Sequence, residues 1–288
     1  MIIIERNHLS SVANEYLDRL KTYGLKNEKK ALGKILITLS DDEFNSLILC
    51  PPERLMTIPV PKDSNRFLTA YKSFFAETGE DNLNNAIWLM RKLNVKVCPY
   101  CNRTYTFTLQ KKTIEAKRYA RPEIDHFFPK SKYKHLALSF YNLVPSCPLC
   151  NQLKGNNEFK FHPYYGNLDG GKDCPRIEVE NVKKNANGLL LFPDDPKVRI
   201  CNESPDSKTL GLQELYEQHN DYVKEILDKI QAYNKDYYSP LITSFQGMGK
   251  TQEEIDRLVW GNYVEEASQG KRPLSKMTRD ILKQFDVI

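Results

Sequence analysis

Apolar residues recur at three- and four-residue intervals through the first third of the chain, the spacing of helices that bury one face. Val12, Tyr16, Leu20 and Tyr23 trace one such stripe and Gly24 offers a left-handed stop, so a helix is expected over 10–23. Ser40 and Glu43 form a capping box ahead of Phe44, Leu47 and Ile48, and Pro51-Pro52 closes that element. Phe67, Leu68, Tyr71, Phe74 and Phe75 make a third stripe, and 84–93 a fourth. These aromatics read as core.

From Val95 the period shortens. Residues 104–109 alternate threonine with Tyr105, Phe107 and Leu109, which predicts a strand, and a second strand is expected from Tyr119 or Ala120 towards Asp125. Lys111, Lys112, Lys117 and Arg118 make the connection between them basic. Pro148 stands where a first-turn residue belongs, so a helix is expected over 147–156. Beyond Gly155, segments 176–182 and 189–192 flank the turn signal Asn187-Gly188, and 197–201 reads as a third short strand. The remainder is helical: an apolar stripe from Leu212 to Ile230, a capping box of Thr251 and Glu254 ahead of Ile255, Leu258 and Val259, and a last helix over 274–285. The expected class is α+β in three stretches: a helical region 1–95, a compact core 96–165, and short strands followed by helices over 166–288.

Composition narrows the setting. No apolar run among the 288 residues approaches the length of a membrane span, and Met1-Ile2-Ile3-Ile4 is too short for a signal-peptide core, so a cytoplasmic, non-membrane protein is expected. A net charge of +5 permits nucleic-acid binding without arguing for it. Seven cysteines is an odd number, and four of them lie in the pairs Cys98-Pro-Tyr-Cys101 and Cys147-Pro-Leu-Cys150. Two such knuckles complete a closed four-thiolate zinc site with no open position, so the metal is expected to be structural and the chemistry to come from other residues. Cys50, Cys174 and Cys201 are expected to be small apolar residues without a ligand role.

Between the knuckles lie Ile124-Asp125-His126-Phe127 and Tyr141-Asn142-Leu143-Val144-Pro145. Adjacent residues on a strand point to opposite faces, so Asp125 and His126 are expected to do different jobs: Asp125 to ligate a hard divalent ion, His126 to face a water. Asn151, early in the expected helix, offers a second oxygen ligand of the kind magnesium prefers. Asn142 is placed to lock the imidazole or its strand by hydrogen bonding. Lys111, Lys112, Lys117, Arg118, Arg121, Lys130, Lys132, Lys134 and Lys154 are interleaved with these residues. Arg118, Arg121, Lys130, Lys132 and Lys154 are the candidates for a sequence-independent grip on a nucleic-acid backbone, with Lys154 nearest the scissile region. His162 is a possible extra contact to phosphate or metal; His8, His135 and His219 read as structural or solvated.

The run 123–131, with Asn142-Leu143-Val144-Pro145, Cys147-Pro-Leu-Cys150-Asn151 and Lys154-Gly155-Asn156, resembles the HNH endonucleases, whose core is the ββα-metal or His-Me finger. The resemblance covers roughly residues 96–160. It implies a DNA endonuclease with His126 as general base, Asp125 and Asn151 on a catalytic Mg2+ or Mn2+, Asn142 as the middle asparagine, and zinc on the four cysteines. Asparagine in the last position is similar to the HNH domains of CRISPR effector nucleases. The helical flanks and the helix around Ser275-Lys276-Met277-Thr278-Arg279-Asp280 resemble HNH proteins of bacterial anti-phage systems of the Septu type and their retron-linked relatives, which act beside an ATPase of the ABC or SMC kind. The chain itself carries no Walker A motif, so energy coupling would come from such a partner. The rival reading is a zinc-dependent nucleic-acid-binding or assembly module without catalysis.

Overall fold

The computed structural model describes residues 1–4, 8–78, 83–112, 117–168, 175–186, 190–233 and 235–288; at 110–112, 117–119, 184 and 235–238 it describes the backbone alone. Cys174 and the Asn187-Gly188 turn lie outside the described residues. By spatial proximity the chain falls into two compact units, one of Ile3–Tyr100 with Tyr105–Gly171, the other of Met1–Ile2, Cys101–Thr104 and Lys172–Ile288. Helices and small two-stranded sheets make up both. Among the described residues no helix is long and apolar enough to cross a membrane.

The first unit opens with five helices, α1 (Leu9–Lys26), α2 (Ala31–Thr38), α3 (Asp41–Ile48), α4 (Asn65–Ala76) and α5 (Asn85–Leu93). The capping box at Ser40 starts α3 as expected, and Asn84 caps α5 through Ala86 N. Gly24 does not end α1. It lies inside the helix, buried, where the missing side chain lets Leu32 and Leu36 of α2 close on the backbone. The core of these helices is aromatic: Tyr16 is fully buried, edge-on to Phe74 at 5.9 Å between ring centres and 5.8 Å from Phe140.

The remainder of this unit contains strands β1 (Leu109–Lys112), β2 (Lys117–Ala120), β3 (Glu123–His126) and β4 (Leu143–Ser146), then helix α6 (Pro148–Lys154), and a short pair β5 (Phe161–His162) and β6 (Gly166–Asn167). The hairpin that carries Asp125 and His126 is β3 against β4, with Asp125 opposite Val144 and His126 opposite Leu143. Residues 104–109 are not its partner. They meet Val97 through a bridge at Tyr105 and continue into β1, which pairs with β2. The chain breaks at Arg121-Pro122 between β2 and β3, because proline ends the ladder there. Strand, strand and helix thus run β3, β4, α6. Between the strands, a 3-10 turn at Lys134–Leu138 packs on α4 and α3.

In the second unit β7 (Arg176–Val179) pairs with a later strand across the small ribbon of β8 (Lys183–Lys184) and β9 (Leu190–Leu191), that partner being β10 (Val198–Cys201). Helices α7 (Pro205–Thr209), α8 (Leu212–Glu217), α9 (Asn220–Ala232), α10 (Lys235–Gly247), α11 (Gln252–Trp260) and α12 (Ser275–Gln284) follow. The stripe from Leu212 is therefore two helices, α8 and α9. Helix α12 lies along the open edge of β7: Asp280 and Gln284 accept from Ile177 N at 3.0 Å and Val179 N at 2.7 Å. Asn102, in the left-handed region at φ 52°, belongs to this unit, where its amide bonds Gln269 O and Lys276 N.

Tyr16 supplies a test of the aromatic core. Its hydroxyl donates to Leu138 O at 3.1 Å with both groups buried. Tyr16→Phe strands that carbonyl and should cost about 1–2 kcal/mol, whereas Tyr16→Ala should cost about 3–5 kcal/mol by leaving a cavity, both read from urea unfolding midpoints.

Candidate active site and cysteine cluster

Helix α6 begins at a knuckle: Cys147 is its N-cap, its sulfur accepting from Cys150 N at 3.4 Å, and Pro148 fills the first turn. Cys147 N donates in turn to Cys98 Sγ at 3.4 Å, and Arg103 N to Cys101 Sγ at 3.4 Å. All four sulfurs lie within 4.8 Å of one another and all four cysteines are buried and unoxidised. A tetrahedral ion with Zn–S bonds of about 2.3 Å needs sulfurs about 3.8 Å apart, so the donor set and its spacing fit zinc. Backbone N–H groups aimed at sulfur favour the thiolate form that a metal binds. Cys50 is buried and Cys201 partly so, and neither joins the cluster.

Asp125 is 4% exposed and meets two donors from two other elements. Tyr100, inside the first knuckle, donates to Oδ2 at 2.6 Å, and Lys154 at the end of α6 places Nζ 3.2 Å from Oδ2 and 3.3 Å from Oδ1. Lys154 is fully buried, donates also to His126 O at 2.9 Å, and runs between the Phe127 and Phe159 rings. Burial pushes the Asp125 carboxyl up, and the Lys154 ammonium and the Tyr100 hydroxyl oppose that shift. One helical turn earlier, Asn151 Nδ2 donates to Glu123 Oε2. Glu123 and Asp125 thus occupy one face of β3 and α6 answers each with one side chain. The hydrogen bonds of Asp125 and Asn151 go to different partners, and Glu123 and Tyr100 are site residues that the sequence reading did not single out. Alternation along the strand from Asp125 points to Glu123.

His126 faces the other side of β3, also 4% exposed. Nε2 lies 3.1 Å from Ala137 O, and a carbonyl only accepts, so Nε2 carries the hydrogen and Nδ1 is the acceptor of the neutral ring. Burial, then the charge of Lys130, lowers its pKa to about 3. Tyr71 of α4 stands edge-on to the imidazole at 4.6 Å, and Lys130 lies over the Tyr71 ring at 5.1 Å. Burial raises the Tyr71 hydroxyl to about 12 and depresses the Lys130 ammonium. Asn142 does not touch the imidazole. Fully buried, it accepts from Phe128 N at 2.7 Å and donates to Phe128 O at 3.2 Å and Leu136 O at 3.0 Å, pinning the chain just after His126 to the turn that holds Ala137.

The candidate cations separate. Lys154 is enclosed on Asp125 and offers no surface to a phosphate, because a buried carboxylate demands a counter-charge. Lys132 is exposed and paired with Glu158 at 3.1 Å; Arg121 is exposed and donates to Pro122 O. The Arg118 side chain lies outside the described residues. His162 is buried against Phe127, its Nδ1 accepting from Tyr164 N at 3.2 Å, a core role. His8 reaches Leu93 O, His135 is buried, and His219 accepts from Arg103.

The Asp125–Lys154 pair predicts a sign. Lys154→Met keeps the buried stem but leaves the carboxylate without its ammonium and should cost about 3–5 kcal/mol at pH 7. Adding Asp125→Asn should return most of that loss, read as a double-mutant cycle in urea.

Residues 98–157 match the family model described as HNH endonuclease. A segment of 41 residues, 14% of this chain, is 44% identical to the Septu protein PtuB of Bacillus thuringiensis, of whose length it spans 16%. No solved structure matches the chain significantly. The β3–β4 hairpin, α6 and the four clustered cysteines all fall inside the matched span, so residues 98–157 form an HNH domain.

Proposed function

We propose that the chain is a metal-dependent endonuclease that hydrolyses DNA phosphodiester bonds, acting as the nuclease component of a bacterial anti-phage system. The observation that supports this best is the state of His126. Its tautomer is set by Ala137 O, so a neutral ring presents Nδ1 as a proton acceptor, which is what a general base must do towards a water attacking phosphorus. Burial holds the ring neutral, and an anionic phosphate beside it raises its affinity for the proton it takes. Asn142 pins the chain just after the strand that carries this imidazole.

Asp125 and Asn151 are the residues that would hold a catalytic Mg2+ or Mn2+. Their donors are a carboxylate and an amide oxygen, and Glu123 holds the Asn151 nitrogen so that the amide oxygen is turned the opposite way. When bound, a hard divalent ion supplies positive charge for the pentacovalent phosphorus and the leaving oxygen. The closed cysteine cluster is reserved for a structural Zn2+.

The product ends that the resemblance to HNH endonucleases implies are a 3′-hydroxyl and a 5′-phosphate. Similarity to a Septu protein supports a place in a defence system; a partner ATPase of the ABC or SMC kind and a cytoplasmic setting are what the resemblance and the composition of the chain imply. Lys130 and Arg121, with Arg118 and Lys132, give the backbone grip.

His126→Ala should keep one zinc per chain and a cooperative thermal transition, at a melting temperature lowered by the cavity and the unpaired Ala137 carbonyl, while losing plasmid nicking by about 100- to 10,000-fold in magnesium at a temperature well below that transition. Undiminished cutting would end the assignment of His126 as the base, whereas a parent chain that does not cut in magnesium would favour the non-catalytic module. Cys98→Ser should release the zinc, measured by a colorimetric metal assay after denaturation. Because structural zinc contributes on the order of 10 kcal/mol or more of folding free energy, it should also abolish the cooperative thermal transition of the domain.

A further inference from the structure

Just past the first knuckle, Tyr105 and Phe107 stack face to face in open solvent. Their ring centres are 4.4 Å apart and the planes 21° from parallel, while 45% of Tyr105 and 60% of Phe107 remain exposed. Leu109, next in the same alternation, is 62% exposed. The segment carrying them is firmly held: Thr106 between them is buried, its hydroxyl donating to Val95 O at 2.6 Å and its N–H to Lys96 O at 2.9 Å. Tyr105 itself bridges Val97. Two large rings fixed outwards on an anchored backbone are costly to leave in water unless something covers them.

The neighbouring ribbon says what covers them. In the β1–β2 ladder Lys111 stands opposite Arg118 and Lys112 opposite Lys117, two successive rungs of like charge. Neither Leu109–Lys112 nor Lys117–Ala120 contains a carboxylate. Like charges directly across a ladder destabilise it, so the arrangement is suited to a polyanion rather than to the apolar face of a partner protein. Aromatic faces take unpaired bases whatever their sequence, and adjacent cations take the phosphates between them. A closed duplex offers the cations its backbone but gives the rings no base face.

We propose that Tyr105 and Phe107 form a base-stacking platform that, with the β1–β2 ribbon, binds single-stranded nucleic acid within the span of the HNH domain. This rests on the nuclease reading only for its relevance to a substrate; the binding itself is independent of cleavage.

The test uses the full chain with His126→Ala, to remove cutting, and no added divalent ion. Fluorescence anisotropy is read with a labelled oligothymidine and with a duplex of equal length. Tyr105→Ala/Phe107→Ala should weaken single-strand binding on the order of 100-fold, roughly tenfold per ring, and duplex binding by less than about threefold. Tyr105→Leu/Phe107→Leu keeps apolar surface without a π face and should be as weak as the alanine pair, whereas Tyr105→Trp/Phe107→Trp should bind as tightly as the parent. Single-strand affinity within about threefold of the parent in the alanine pair, rescue by leucine, equal losses on single strand and duplex, or no single-strand binding by the parent would each overturn the proposal. Failure of the nuclease reading shows separately, as absence of magnesium-dependent nicking by the chain with His126 intact.

Discussion

A carboxylate sealed from water must be answered by a cation and by hydrogen bonds, and Asp125 imposes that demand on the whole module. Tyr100 answers from the first cysteine knuckle and Lys154 from the last turn of α6, so strand, knuckle and helix are brought to one point by a single side chain. The geometry is commensurate. Glu123 and Asp125 are two residues apart on β3, about 6.6 Å along a strand, while Asn151 and Lys154 are three apart on α6, about 4.5 Å along a helix. The length of the lysine stem makes up the difference. The cysteine cluster fixes the start of α6 at the other end, through Cys147 and Cys150.

Strand alternation then separates two kinds of chemistry within one dipeptide. The face of β3 with Asp125 holds the oxygen donors and the ammonium; the opposite face holds a neutral imidazole whose proton is fixed by a backbone carbonyl. Lys154 joins the two by donating to the His126 carbonyl as well, so the backbone between carboxylate and imidazole has little freedom. Asn142 removes the rest by bonding both peptide groups of Phe128.

Features that rest on local chemistry were legible in the chain. Two CxxC knuckles, the Ser40 and Thr251 capping boxes, the helix start at Pro148 and the aromatic stripes of α1 and α4 appear where their residues put them. The partner of β3 was not legible, because β4 is four residues long and contains Pro145, which hides a strand signal, whereas 104–109 alternates well and pairs elsewhere. Gly24 reads as a stop only if the neighbouring helix is ignored; its reason is the approach of α2. The attachment of Lys154 to Asp125 was missed for a different cause. Lysine in a basic context reads as surface charge, and only the depth of the carboxylate, a property of the assembled fold, draws it inside.

Long-range packing also decides how far the domain matched at 98–157 is self-sufficient. The turn at Lys134–Leu138 serves two masters: its Ala137 carbonyl sets the tautomer of His126, and its outer side packs on α4, whose Tyr71 covers the same imidazole. Tyr16 of α1 reaches Leu138 of that turn and Ser139 reaches Leu47 O of α3. Helices read from sequence as a separate region therefore hold the carbonyl that orients the candidate base and supply the ring that shields it. A fragment starting at residue 96 would keep every residue of the HNH signature and lose the packing that fixes Ala137, so the identity of the site lies in the motif but its geometry lies in the helices before it.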